Sequence, residues 1–159
     1  MQLPNPDRRR IPIKLGARRT GQGSEFVDCP PIIEVHVSCE RDWNLSCGRP
    51  PKHDGTRYAA LVDSGAERTA ISSVVASQIG LSLSANAVVH GLSGTQTFGA
   101  GDIHVFIPDQ NIAFSERAAV CDLQTAGHMF SIVLGRSFLE HCRLEVDGRA
   151  GTYSLLWLG

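Results

Sequence analysis

Residues 59–72 read A-A-L-V-D-S-G-A-E-R-T-A-I-S, which puts a carboxylate, Asp63, directly after the apolar run Ala59-Ala60-Leu61-Val62. A carboxylate at the end of a buried strand either closes the strand as a turn residue or is held in place to give and take protons. Ser64 and Gly65 follow: a hydroxyl, then a residue with no Cβ to obstruct a close backbone approach. About seventy residues later a second apolar run ends in glycine and arginine, I-V-L-G-R-S-F-L at 132–139. Other residues offer rival chemistries. Cys39, Cys47 and His53 are close in sequence but lack the spacing of a zinc site. Cys142 would become a thiol nucleophile only if the fold gave it His128 or His141 as a base, and the spacing does not require that.

The elements that must position Asp63 are short. Ile33, Val35 and Val37 alternate with Glu34 and His36, as in a half-buried strand, and order is expected to begin at Pro31. Residues 1–30 carry prolines and glycines without periodicity and are expected to form a partly disordered arm. Asn44, Gly48, Pro50, Pro51, Asp54 and Gly55 mark residues 40–56 as a loop. The run 58–62 is a short strand buried on both faces. Ser72 or Ser73 suits the N-cap of a helix of about two turns through Val74, Val75, Ala76 and Ile79, which Gly80 would stop.

The second half is strand-like. Strands at 87–90 and 102–107 flank H-G-L-S-G-T-Q-T-F-G-A-G, expected as a hairpin with a flexible glycine-rich tip. Further strands are expected at 118–123 and 130–134, then a helical turn at 137–141. A last hairpin pairs 143–146 with 152–158 around Asp147-Gly148. Many short strands with one or two short helices make a mainly β chain, arranged as a small closed β-barrel.

A chain of 159 residues, 42% hydrophobic and 19% charged, has the size and composition of one globular domain. Its net charge of −1 gives no general attraction to nucleic acid or anionic lipid, although Arg8-Arg9-Arg10 and Arg18-Arg19 are a local exception. No apolar run reaches bilayer length, and residues 1–16 have no apolar stretch of the kind a secretory signal needs, so none is expected there. Five cysteines, an odd number without a C-x-x-C pair, fit reduced thiols, so a cytoplasmic location is expected.

Together, L-V-D-S-G-A at 61–66, the glycine-rich hairpin and I-V-L-G-R-S-F-L at 132–139 resemble the retropepsin-like aspartic proteases. The resemblance runs from about residue 31 to the C-terminus. It implies an acid-protease barrel with a flap at 31–159, behind an arm at 1–30. By that resemblance Asp63 is the catalytic residue and Ser64, Gly65 and Ala66 complete its loop. Gly91, Leu92, Ser93 and Gly94 would form the flap tip, and Glu67 and Arg136 would pair to brace the loop from behind. Neither metal nor organic cofactor is implied. Glu67 stands where an Asp is more usual, and Ser137 replaces the commoner Asp or Asn.

The chain has one D-S-G and no D-T-G, so a pair of carboxyls requires two copies in a symmetric homodimer. The implied substrate is an extended polypeptide, with Leu61, Ile71 and Val133 as apolar walls. The C-terminal strand carries Leu155, Leu156, Trp157 and Leu158, and is expected at the dimer interface because such an edge would otherwise invite aggregation. Two alternatives stay open: a non-catalytic peptide-binding module on the same fold, and a self-processing domain whose own residues 1–30 are the substrate.

Overall fold

The computed structural model describes residues 10–13, 31–91, 94–123, 130–147, 149 and 152–159. Within them the strands are β1 (Arg10–Ile13), β2 (Ile32–Ser38), β3 (Tyr58–Val62), β4 (Ala70–Ser72), β5 (Ala85–Gly91), β6 (Gly94–Ile107), β7 (Ile112–Cys121), β8 (Ile132–Leu134), β9 (Cys142–Asp147) and β10 (Thr152–Trp157). Two short helices, α1 (Ser73–Gln78) and α2 (Arg136–Leu139), follow β4 and β8.

Six strands close a ring in the order β2-β3-β8-β4-β7-β6, because β2 pairs with both β3 and β6. Ile32 to Val35 of β2 lie against β3, and His36 to Ser38 lie against β6. The mainly β architecture is as expected, with Val35, Ile71, Ile103, Ile132 and Phe138 fully buried inside it. β8 is apolar on both faces because it runs through the middle, parallel to β3 on one side and antiparallel to β4 on the other. β4 has only three residues, too few for alternation to reveal it. Helix α1 starts as expected: Ser72 Oγ accepts the Val75 N–H at 3.2 Å, and Gly80 beyond its end has a positive φ of 66°.

Three expectations are corrected. First, order begins before Pro31. Arg10 to Ile13 pair antiparallel with β10, and Ile11 and Ile13 are buried in the main core. Second, β10 is not an edge. It is the central strand of the sheet β1-β10-β9, with partners on both sides. Leu155 points into the core, while the opposite face carries Arg10, Glu145 and Ser154 in one hydrogen-bonded group. Third, residues 95–101 are strand, not loop, since β6 is continuous from Gly94. A Cβ on Gly101 would lie 2.6 Å from the backbone oxygen of Ser82, so this glycine admits a crossing segment. The turn at Gly148 lies outside the described residues.

Residues 40–56 are a loop as expected, but an ordered one. Trp43 is buried and its Nε1 donates to the Arg49 carbonyl at 2.8 Å. Arg49 grips Glu40 through both terminal nitrogens, at 2.5 and 3.0 Å, and Glu40 also accepts the Lys52 N–H at 2.8 Å. These bonds hold the Glu40 carboxyl down at about 2.

Candidate active site

The strand pairing sets the place of Asp63. β3 and β8 run side by side with Val62 opposite Leu134, and the Asp63 N–H continues the ladder to the Leu134 carbonyl at 3.0 Å. The chain then arches over the end of β8 and returns as β4 on its other side. Within the arch the Ala66 N–H bonds the Asp63 carbonyl at 3.2 Å, and the Gly65 N–H donates to Asp63 Oδ1 at 2.8 Å. This Asx-type turn fixes the carboxylate's direction. A Cβ on Gly65 would sit 3.1 Å from Oδ1, so the glycine leaves the carboxylate its room. Asp63 and Ala66 are half-buried, while Ser64 and Gly65 are exposed at the tip.

Backbone supports the arch from below. The Arg136 N–H donates to the Ala66 carbonyl at 2.9 Å, and the Ser137 N–H to the Glu67 carbonyl at 3.3 Å. Gly135 is required for this contact: a Cβ there would lie 2.5 Å from the Arg68 oxygen and 2.9 Å from the Ala66 oxygen. The expected Glu67–Arg136 ion pair does not form. The Arg136 side chain is exposed where α2 begins, and Glu67 instead faces Arg68 at 3.8 Å with both side chains half exposed. An exposed pair of that length contributes little. The brace is therefore made of main chain.

Three residues beneath the arch have no counterpart among the expected site residues. Thr69 is fully buried, and its N–H bonds Ser137 Oγ at 3.3 Å. Ser137 Oγ donates to Glu116 Oε1. Burial pushes the Glu116 carboxyl above the ordinary carboxylate range, against the opposing hydrogen bond of Ser137. The signal was legible: Phe114, Glu116 and Ala118 share one face of β7, and Phe114 and Ala118 are buried.

A cleft of about 320 Å³ opens above Asp63. Its walls include Ala70, Ala119, Cys121 and Val133, roofed by Val88 and His90 of β5. Val133 is the expected wall residue that lines it. Ile71 is fully buried in the core, because alternation along β4 turns Ala70 toward the cleft instead, and Leu61 does not line it. β5 and β6 form the expected flap hairpin, paired from Ala85↔Ala100 out to Gly91↔Gly94. Gly94 has a positive φ of 117° at the turn. Leu92 and Ser93 lie outside the described residues.

The rival groups stay apart. Cys39 Sγ donates to the Ile79 carbonyl, Cys47 bonds around Asn44, and His53 stacks on His36 with ring centroids 3.8 Å apart. Among the described residues no three His, Cys, Asp or Glu side chains come together as a metal-binding group. Burial pushes the Cys142 thiol up to about 12, far from a nucleophilic thiolate, and the neighbouring His141 ring faces Trp157. His128 lies outside the described residues.

The family model described as "gag-polyprotein putative aspartyl protease" matches residues 51–141, more than half of the chain. The match spans the Asp63 arch, the flap hairpin and the Gly135-Arg136 support. The chain belongs to this aspartyl protease family. No curated protein sequence matches it. Among solved structures it is similar to a retropepsin-like aspartic protease from Rickettsia conorii, with 17% identity and a TM-score of 0.53 over 93% of this chain and 90% of the other. At that identity the likeness is one of fold. EIAV protease, solved with an inhibitor bound, aligns at 14% identity and a TM-score of 0.48 over 72% of this chain and 88% of its own.

Proposed function

We propose that this family member is an aspartic endopeptidase that works as a symmetric homodimer, with Asp63 of each copy in one shared site. One observation carries the proposal. Asp63 is held by strand pairing and an Asx turn at the floor of a cleft, on an arch whose tip, Ser64-Gly65, is exposed and free to meet its own copy.

Two such carboxyls in contact cannot both ionise, and aspartic proteases are the standard example of that effect. One keeps its proton and the other takes a proton from a water that attacks the peptide carbonyl. The protonated partner then serves the leaving nitrogen. An extended polypeptide would lie between this floor and the flap, its side chains against Val133, Ala70 and Val88. The residues that act need no metal or cofactor in this scheme.

The test compares wild type with Asp63→Asn on an unbiased peptide mixture across roughly pH 4 to 7. Cuts made by wild type and missing from the folded mutant support the proposal. Identical digests from both would refute it.

One observation favours a second reading, a peptide-binding module with a single Asp63 per site. β10 already has β1 and β9 as partners in the same chain, so it offers no free edge for strand pairing between copies. A monomer in sedimentation at assay concentration, binding peptides without cutting them, would establish this alternative.

A further inference from the structure

Glu116 binds three separate segments together. Its Oε1 accepts from the Ser137 hydroxyl, the Thr69 N–H reaches the same Ser137 Oγ at 3.3 Å, and its Oε2 is buried without a hydrogen-bond partner. Thr69 Oγ1 also accepts the Gly135 N–H at 3.4 Å, and the Thr69 carbonyl accepts the Ala119 N–H at 3.0 Å. β7, the foot of the Asp63 arch and the 135–137 turn are thus joined through Ser137, whose hydroxyl is held by the Glu116 carboxyl.

Among the described residues no Lys or Arg is ion-paired with it. His141 and Glu140, just beyond α2, act on it in opposite directions. Arg117, next on β7, is turned to the other face and paired with Asp102 of β6 at 2.8 Å. Arg68 faces Glu67, and Arg136 is exposed. Opposite on β6 stands the fully buried Ile103. β4 brings only Ala70, Ile71 and Ser72, none of them charged. An anion with one oxygen unsatisfied costs far more in such surroundings than a neutral acid.

We propose that Glu116 is a positioning residue that clamps the Asp63 arch to the 135–137 turn most firmly as the neutral acid, and that the anion, with Oε2 buried and unsatisfied, loosens the clamp. The clamp stands independently of catalysis, and its effect on turnover rests on the peptidase function proposed above. The sign follows from linkage. A carboxyl that binds its proton more tightly folded than unfolded makes stability fall as pH rises from the ordinary Glu range through the raised folded value.

The experiment is urea unfolding of the full chain over a pH series, in wild type, Glu116→Gln and Ser137→Ala. Gln keeps the shape and an acceptor without the charge. The wild-type midpoint should fall relative to Glu116→Gln as pH rises above the Glu range, and a constant difference overturns the proposal. Ser137→Ala removes a donor that favours the anion, so its fall should begin at the same pH but continue to higher pH and go deeper, and a fall that ends where that of wild type ends overturns the proposal even if Glu116→Gln does not fold. In cleavage assays the ratio of kcat/KM, Glu116→Gln over wild type, should be near one at the acid end and rise roughly three- to tenfold toward neutral pH. A flat ratio overturns the link to turnover. If neither protein cuts any peptide, the peptidase function fails while the unfolding series still decides on the clamp.

Discussion

Gly135→Ala is the most direct probe of the main-chain brace. The new Cβ would stand 2.5 Å from the Arg68 oxygen, 2.6 Å from its carbonyl carbon and 2.9 Å from the Ala66 oxygen. All three are backbone atoms, so no side chain can swing aside. Forcing one extra carbon into a packed site costs about 1–3 kcal/mol. Relief requires the arch to lift, which stretches the Arg136–Ala66 and Ser137–Glu67 backbone bonds, now 2.9 and 3.3 Å. Each is worth about 0.5–1.5 kcal/mol. Together these terms give a destabilisation of roughly 2–6 kcal/mol. Urea unfolding reads this directly: at a slope of about 1–3 kcal/mol per molar, the midpoint should drop by on the order of 1–2 M. If the proposed peptidase function holds, cleavage should fall further than the loss of folded protein explains, because the lifted residues carry Asp63. A midpoint within about 0.3 M of wild type, with unchanged cleavage, would refute the brace.

Other outcomes follow from named contacts. Ile11→Ala should cost about 2–4 kcal/mol in thermal or urea unfolding, because Ile11 is only 2% exposed, and a neutral result would put β1 outside the cooperative core. Ser72→Ala removes the N-cap of α1 and should cost about 1 kcal/mol by the same measurement. Glu40 is held at about 2, below its unfolded range, so its contribution is present above that range and lost as pH falls toward 2. Glu40→Gln should therefore lower stability at neutral pH and lose less on acidification, as followed by the unfolding midpoint from about pH 6 to pH 2.

How much of this could be read from the residues depended on whether a feature was local. The β3 and β8 runs were visible as apolar stretches, and Asp63, Gly65 and Gly135 declared themselves by sitting at their ends. The flap hairpin was visible from its glycines, but for a mistaken reason. Gly101 permits the Ser82 backbone to cross, a contact between segments that no local pattern encodes. β1 is four residues, R-I-P-I, too short to alternate convincingly, and its pairing with Ser154 and Leu155 joins opposite ends of the chain. The Glu67–Arg136 pair failed because the approach of the two segments is made by their backbones, leaving the side chains to point away. Glu116 was missed because a charged residue in S-E-R suggests surface, although the alternation of β7 turns it inward.

The flap hairpin has a mechanical consequence. From Ala100 to Ile107, β6 is bonded to β7, but from Gly94 to Gly99 its partner is β5. The hairpin is thus a cantilever clamped at Ala100–Gly101, where the Ser82 carbonyl presses close enough to exclude any side chain at Gly101. A two-stranded ribbon beyond its support is compliant, whereas the arch carrying Asp63 is anchored on three sides. Load applied at the tip bends the ribbon and stops at the clamp. In the peptidase proposed above, grip on a bound chain and alignment of the carboxyl would therefore be tuned by separate sets of residues, one on each side of that fulcrum.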